Sequence, residues 1–158
     1  MPDKILTTKA LTVALDARRA RGERIVFTNG CFDLLHIGHT RYLQEAKKLG
    51  DCLVVGLNSD ASVRAIKPKG RPLVPQAQRA EVLAALACVD HVVIFDEPDP
   101  LNLIASVQPD VLVKGGDWPI DQIVGREIVQ ARGGQVVTLP LVPDVSTTAL
   151  VRRIKAPS

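Results

Sequence analysis

A chain of 158 residues fits one domain and is long enough to bury a substantial core. Its 46% hydrophobic and 23% charged residues are ordinary for a soluble globular protein, and no apolar run approaches the length of a membrane span. The net charge of +3 lies in separated basic clusters without interleaved aromatic residues, which suits small phosphorylated ligands and speaks against nucleic acid.

In chain order, an amphipathic stretch over residues 8–21 precedes a strand at 25–28 and a helix at about 40–49. A strand at 52–57, a helix at 61–66, a Pro-rich basic loop at 67–75 and a helix at 76–87 follow. Strands at 91–95, 111–113 and 135–139 then alternate with helices at 100–107 and 120–132, and a helix at 147–154 closes the chain. Gly50 and the Gly133-Gly134 pair serve as helix stops, and Ser59 or Asp60 as a cap. This alternation predicts an α/β fold, a Rossmann-like open parallel sheet with helices on both faces. Aromatic residues at only 3% leave such a core to Val, Leu, Ile and Ala. A single domain over 1–158 is expected, with a helical lead-in at 1–23 and the core at 24–154.

The three cysteines form no CxxC pair, so neither a zinc site nor a disulfide framework is indicated; Cys52 and Cys88 read as small buried thiols. The polar, charged N-terminus resembles no signal peptide, and a cytoplasmic location is expected.

In an open α/β sheet, ligands bind at the carboxyl ends of the strands. The first strand leads into Thr28-Asn29-Gly30-Cys31-Phe32-Asp33, followed by Leu34-Leu35-His36-Ile37-Gly38-His39. Neither GxGxxG nor GxxxxGK[ST] is present. Two histidines flanking a glycine at a helix start make an anion site from backbone N–H groups and the positive helix end. Gly38 would admit a phosphate chain close to the backbone, with His36 and His39 donating to it, more strongly when protonated. A metal pair or plain surface histidines are the alternatives; zinc would need a third ligand, and His91 begins a distant strand.

The segment 30–39 closely resembles the HxGH signature of the cytidylyltransferase-like nucleotidyltransferases. Asn58-Ser59-Asp60, the basic loop from Lys67 through Arg71-Pro72, Arg79, Lys114-Gly115-Gly116-Asp117 and Ser146-Thr147-Thr148 agree with it. Together they resemble the branch that adenylylates D-glycero-β-D-manno-heptose 1-phosphate, in a stand-alone form without the sugar kinase often fused to it. Glycerol-3-phosphate cytidylyltransferases share the HxGH and Ser-Thr-Thr elements. They carry a second Asp and an Arg-Thr-x-Gly lead-in where this chain has Gly116 and Pro143-Asp144-Val145, and those departures favour the heptose branch.

The resemblance implies that His36, His39, Lys67 and Lys69 act on the phosphates in catalysis. It implies nucleotide binding by Thr28, Asn29, Gly30, Phe32, Gly38, Lys114, Gly116, Asp117, Ser146, Thr147 and Thr148. Arg71 and Arg79 would meet the acceptor's phosphate, and Asp33 would associate with Mg²⁺, directly or through water. Plainer roles stand beside these: N-capping for Ser146, a helix ion pair with Glu81 for Arg79, packing for Trp118. ATP and a sugar 1-phosphate are the expected partners, and a homodimer served by the Arg-rich first helix the expected assembly. A regulatory module that binds nucleotide without chemistry is the rival from another class.

Overall fold

The structure, a computed structural model, describes residues 2–158. Met1, the first residue of the expected domain, lies outside them. Five strands, β1 (Ile25–Gly30), β2 (Cys52–Asn58), β3 (His91–Phe95), β4 (Val111–Gly115) and β5 (Gln135–Leu139), form one sheet in the order β3-β2-β1-β4-β5. Every pairing is parallel. The helices are α1 (Thr8–Ala20), α2 (Ile37–Lys47), α3 (Asp60–Ile66), α4 (Gln76–Ala84), α5 (Leu101–Val107), α6 (Arg126–Ala131) and α7 (Thr147–Lys155).

Side chains alternate across each strand, so the sheet carries two cores. Phe27, Val54, Val93 and Leu112 pack with Leu11 and Leu15 of α1, Ile104 of α5 and Val129 of α6. On the opposite face Val26, Leu53, Val55 and Val113 pack with Leu43 of α2 and Ala80 and Leu83 of α4. The aliphatic composition is what a sheet covered on both faces requires.

The strand order reverses direction at β1. β1 pairs with β2 along its whole length, from Ile25↔Cys52 to Gly30↔Leu57. Toward β4 it pairs only at Val26↔Val111 and Phe27↔Leu112, after which the two strands part. A crevice therefore opens at the carboxyl ends of β1 and β4, where the rule for open sheets places a ligand.

Element boundaries moved where polar residues continue a strand or cap a helix. β1 runs on through Asn29-Gly30, and β4 through Lys114-Gly115. The helix expected over 120–132 is interrupted by Gly125, with φ +88°, into a 3-10 turn (Ile120–Gln122) and α6. A Cβ there would stand 2.6 Å from Ile104 Cδ1, so close approach to α5 sets the break.

The arginines of the first helix are spent inside the chain. Arg18 pairs with Glu23 at 2.6 Å, Arg21 with the same carboxylate at 2.8 Å, and Arg19 donates to the Val107 and Gln108 carbonyls. Among the described residues, no helix is long and apolar enough to cross a membrane.

Candidate active site

A cavity of about 910 Å³ fills the crevice, within the range of small-ligand sites. Its floor is the β1 end, with Asn29, Gly30 and Phe32; its rim brings together the start of α2, the basic loop, β4 and the start of α7.

At the start of α2 the two histidines cap the helix themselves. His36 is the N-cap, and its Nδ1 accepts the Gly38 N–H at 3.1 Å. In return the His36 N–H donates, at a long 3.4 Å, to Nδ1 of His39. This reciprocal arrangement is a capping box built from imidazoles in place of Ser and Glu. The rings stack with centroids 3.9 Å apart. An Nδ1 that accepts carries no proton, so each neutral ring holds its hydrogen on Nε2. Burial lowers the pKa of both, that of His39 to about 4 with help from His36 beside it. Without ligand the pair is therefore neutral at pH 7 and keeps an Nε2–H donor on each ring. Gly38 lines the cavity and has a further local role. A Cβ on it would lie 2.8 Å from His36 Cε1, so the glycine makes room for the capping ring.

Phe32 backs this pair, its ring centroid 5.3 Å from that of His39 and its side chain 6% exposed. It adopts φ +45°, a left-handed conformation rare for a bulky residue and found where the surroundings over-determine it.

Three cations line the cavity: Lys67 at the end of α3, Arg71 in the loop and Lys114 on β4. Burial and the neighbouring Lys67 charge lower the Lys114 pKa, as expected of two cations facing one space. Its ammonium lies 5.6 Å from the Trp118 ring centroid. At the start of α7, Ser146 Oγ caps the helix by accepting the Ala149 N–H at 3.0 Å, and Thr147 donates to the Leu34 carbonyl at 3.0 Å. Thr147 thereby ties α7 to the turn before the histidines. Thr148 lines the cavity beside them.

Several of the expected ligand residues already have partners within the protein or lie outside the cavity lining. Arg79 is 2% exposed, and its guanidinium donates to the carbonyls of Val74 (2.8 Å), Cys31 (2.6 Å) and Asn58 (2.9 Å) and pairs with Asp60 at 2.7 Å. It joins the ends of β1 and β2 to the loop and has no donor group directed to the cavity. Asp33 lines the cavity, yet its carboxylate accepts the N–H groups of Leu73 and Val74 at 2.9 Å and lies 3.5 Å from Arg71. These contacts anchor the loop to the end of β1. Among the described residues no group of three His, Cys, Asp or Glu is placed to hold a metal. Thr28 is 1% exposed, its hydroxyl 2.6 Å from Tyr42 Oη. Gly116, with φ +98°, and Asp117 lie outside the lining, while Gly115 and Trp118 belong to it. Lys69 lies in an adjoining groove of about 610 Å³ that shares Pro68 and Arg71 with the cavity.

Tyr42 went unnoticed in the sequence. Its hydroxyl reaches both Thr28 on β1 and the Val113 carbonyl on β4 (3.2 Å), bridging the strands where they part. Its position three residues after His39, on the same helix face, is the signal that marked it. The apolar wall of Ile123, Val124, Leu141, Val142 and Val145 was likewise invisible without the fold.

Comparison with known proteins gives a match to the Cytidylyltransferase-like family over residues 27–153. The chain is similar to the bifunctional protein HldE of Geotalea uraniireducens, 55% identical over 155 residues that cover 98% of this chain and 32% of that protein. The same protein of Geobacter sulfurreducens is 53% identical over 151 residues, 96% of this chain and 31% of the relative. The chain thus spans about a third of the length of these relatives. Among solved structures, a lipopolysaccharide core biosynthesis protein from Thermoplasma volcanium superposes with TM-score 0.62 at 30% identity, covering 77% of this chain and 98% of that one. Pantothenate synthetase from Thermus thermophilus shares the fold, with TM-score 0.60 at 18% identity over 88% of this chain and 62% of its own. The family match begins inside β1 and ends in α7, leaving no cavity residue outside it: the chain belongs to the cytidylyltransferase-like family and is a nucleotidyltransferase.

Proposed function

We propose that this nucleotidyltransferase transfers AMP from ATP to D-glycero-β-D-manno-heptose 1-phosphate, giving ADP-heptose and pyrophosphate. The observation that carries the reading is the histidine pair at the start of α2, each Nδ1 engaged by a backbone N–H, lining the same cavity as Lys67 and Lys114. The heptose acceptor is supported by the resemblance of residues 114–117 and 146–148 to that branch, and by the similarity to HldE and to a lipopolysaccharide core biosynthesis protein.

A phosphate oxygen of the acceptor forms the new bond to the α-phosphorus while the bond to the bridging oxygen of pyrophosphate breaks. The nucleophile is already an anion, so the protein need not remove a proton. Its contribution is alignment and compensation of charge shifting onto the leaving group. His36 and His39 donate Nε2–H bonds to phosphate oxygens, and Lys67 and Lys114 supply the positive field. Asp33 and Arg79 act at one remove, holding the loop that bears Lys67 and Arg71. Mg²⁺ would accompany the triphosphate, with Asp33 on the cavity wall as the carboxylate that could meet it, directly or through water.

A panel of triphosphates and acceptor phosphates, read by pyrophosphate release, tests the assignment. Release with ATP and heptose 1-phosphate well above that with CTP or glycerol 3-phosphate is expected; preference for another pair replaces the substrates named here.

A further inference from the structure

The cavity is divided by chemistry. On its β2 side stand Lys67 and Arg71, with Asp33 held by the loop amides and Asp99 on the loop after β3, and the adjoining groove adds Arg64 and Lys69 beside Asp60. On its β4–β5 side Lys114 is the one charged residue of the described lining, and the wall is otherwise apolar or uncharged. Three large side chains of that wall stay open to solvent: Trp118 at 50%, Leu141 at 67% and Val124 at 42%. Scattered exposed apolar residues need no explanation, but three converging on one ligand cavity do.

We propose that Trp118, flanked by Leu141 and Val124, is the stacking platform for the nucleobase of the triphosphate, with Lys114 bridging from the indole to the phosphates. The inference rests on the reading of this site as an ATP site and adds where the base lies and what holds it. A flat, weakly hydrated base gains most from an aromatic face, whereas a phosphorylated, hydroxyl-rich acceptor is drawn to the cationic side. Lys114 connects the two regions: its ammonium is 5.6 Å from the indole centroid and shares the cavity with Lys67 and the histidines. Gly116 turns the chain between Lys114 and Trp118 at φ +98°, a left-handed conformation that glycine adopts without strain.

Trp118 is the single tryptophan, so its emission reports on this wall alone. Titration of the intact chain with ATP is expected to change that emission saturably. Inorganic tripolyphosphate should displace ATP yet change the emission far less. By calorimetry, Trp118→Ala should weaken ATP binding about ten-fold or more, the loss typical of a base–aromatic stack, with tripolyphosphate affinity held within about two-fold. Trp118→Phe should recover most of the ATP affinity, and circular dichroism should show both variants folded. If Trp118→Ala does not fold, the emission titration and the Phe variant still decide. ATP binding indifferent to Trp118, or an emission change produced by the sugar phosphate in place of ATP, overturns the platform while leaving the ATP reading intact. A parent chain that does not bind ATP overturns both.

Discussion

Replacing Arg79 by Ala removes the buried cation that ties three segments together. The side chain is 2% exposed and makes four contacts of 2.6–2.9 Å, three to carbonyls and one to the Asp60 carboxylate. Its loss leaves those acceptors without their donor and opens a cavity between the β1 end and α4. Breaking a buried ion pair costs about 3–5 kcal/mol, against a total stability of about 5–15 kcal/mol for an ordinary domain. At roughly 2–4 °C per kcal/mol for a chain of this size, the midpoint of thermal unfolding should fall by about 6–20 °C. Arg79→Lys retains a cation for Asp60 but cannot serve Val74, Cys31 and Asn58 in one planar fork, so a smaller yet clear loss is expected. Circular dichroism melts of both variants provide the measurement, with KM for the acceptor read at a temperature where each is folded. A normal melt combined with a raised acceptor KM would refute the assignment and return Arg79 to the phosphate.

His36→Ala and His39→Ala should each lower kcat on the order of 100-fold, as loss of a transition-state donor does, while the lost cap costs only about 1 kcal/mol in urea unfolding. Near-normal turnover in both would remove the phosphate role. Burial holds His36, His39 and His91 below their ordinary pKa, His39 at about 4, so the folded state binds fewer protons than the unfolded chain. Stability present above about pH 6.5 should therefore be lost as pH falls toward 4. Melts across that window should show a shallower decline for His39→Gln, and an equal or steeper one contradicts the neutral ring. Asp33→Ala frees the Leu73 and Val74 amides and should speed tryptic cleavage after Lys69 several-fold, the neighbouring Lys67 and Arg71 bonds being blocked by proline. Unchanged digestion would show that the carboxylate does not anchor the loop.

The sheet was legible because its interior is made of uninterrupted Val, Ile and Leu runs; the starts of all five strands, and both ends of those at 91–95 and 135–139, stand where the sequence put them. Strand ends were harder. Asn29-Gly30 reads as loop because it is polar, yet it continues β1 alongside β2, where backbone pairing decides. The histidine turn was readable from its residues, but its internal chemistry was not. That His36 and His39 cap each other, and that Gly38 serves the imidazole, depends on ring positions no spacing contains. The internal partners of Arg79 and Asp33 were hidden for a related reason: which carbonyls and amides a charged residue meets depends on folding that no spacing contains. Lys69, two residues from Lys67, faces a different groove for want of any regular period in the loop.

The proposed reaction is tested most directly by incubating the purified chain with ATP, Mg²⁺ and D-glycero-β-D-manno-heptose 1-phosphate and quantifying both products. Pyrophosphate and ADP-heptose formed in equal amounts, and abolished together when His36 and His39 are both replaced, is the expected result. Neither product formed by a folded, ATP-binding chain would contradict it.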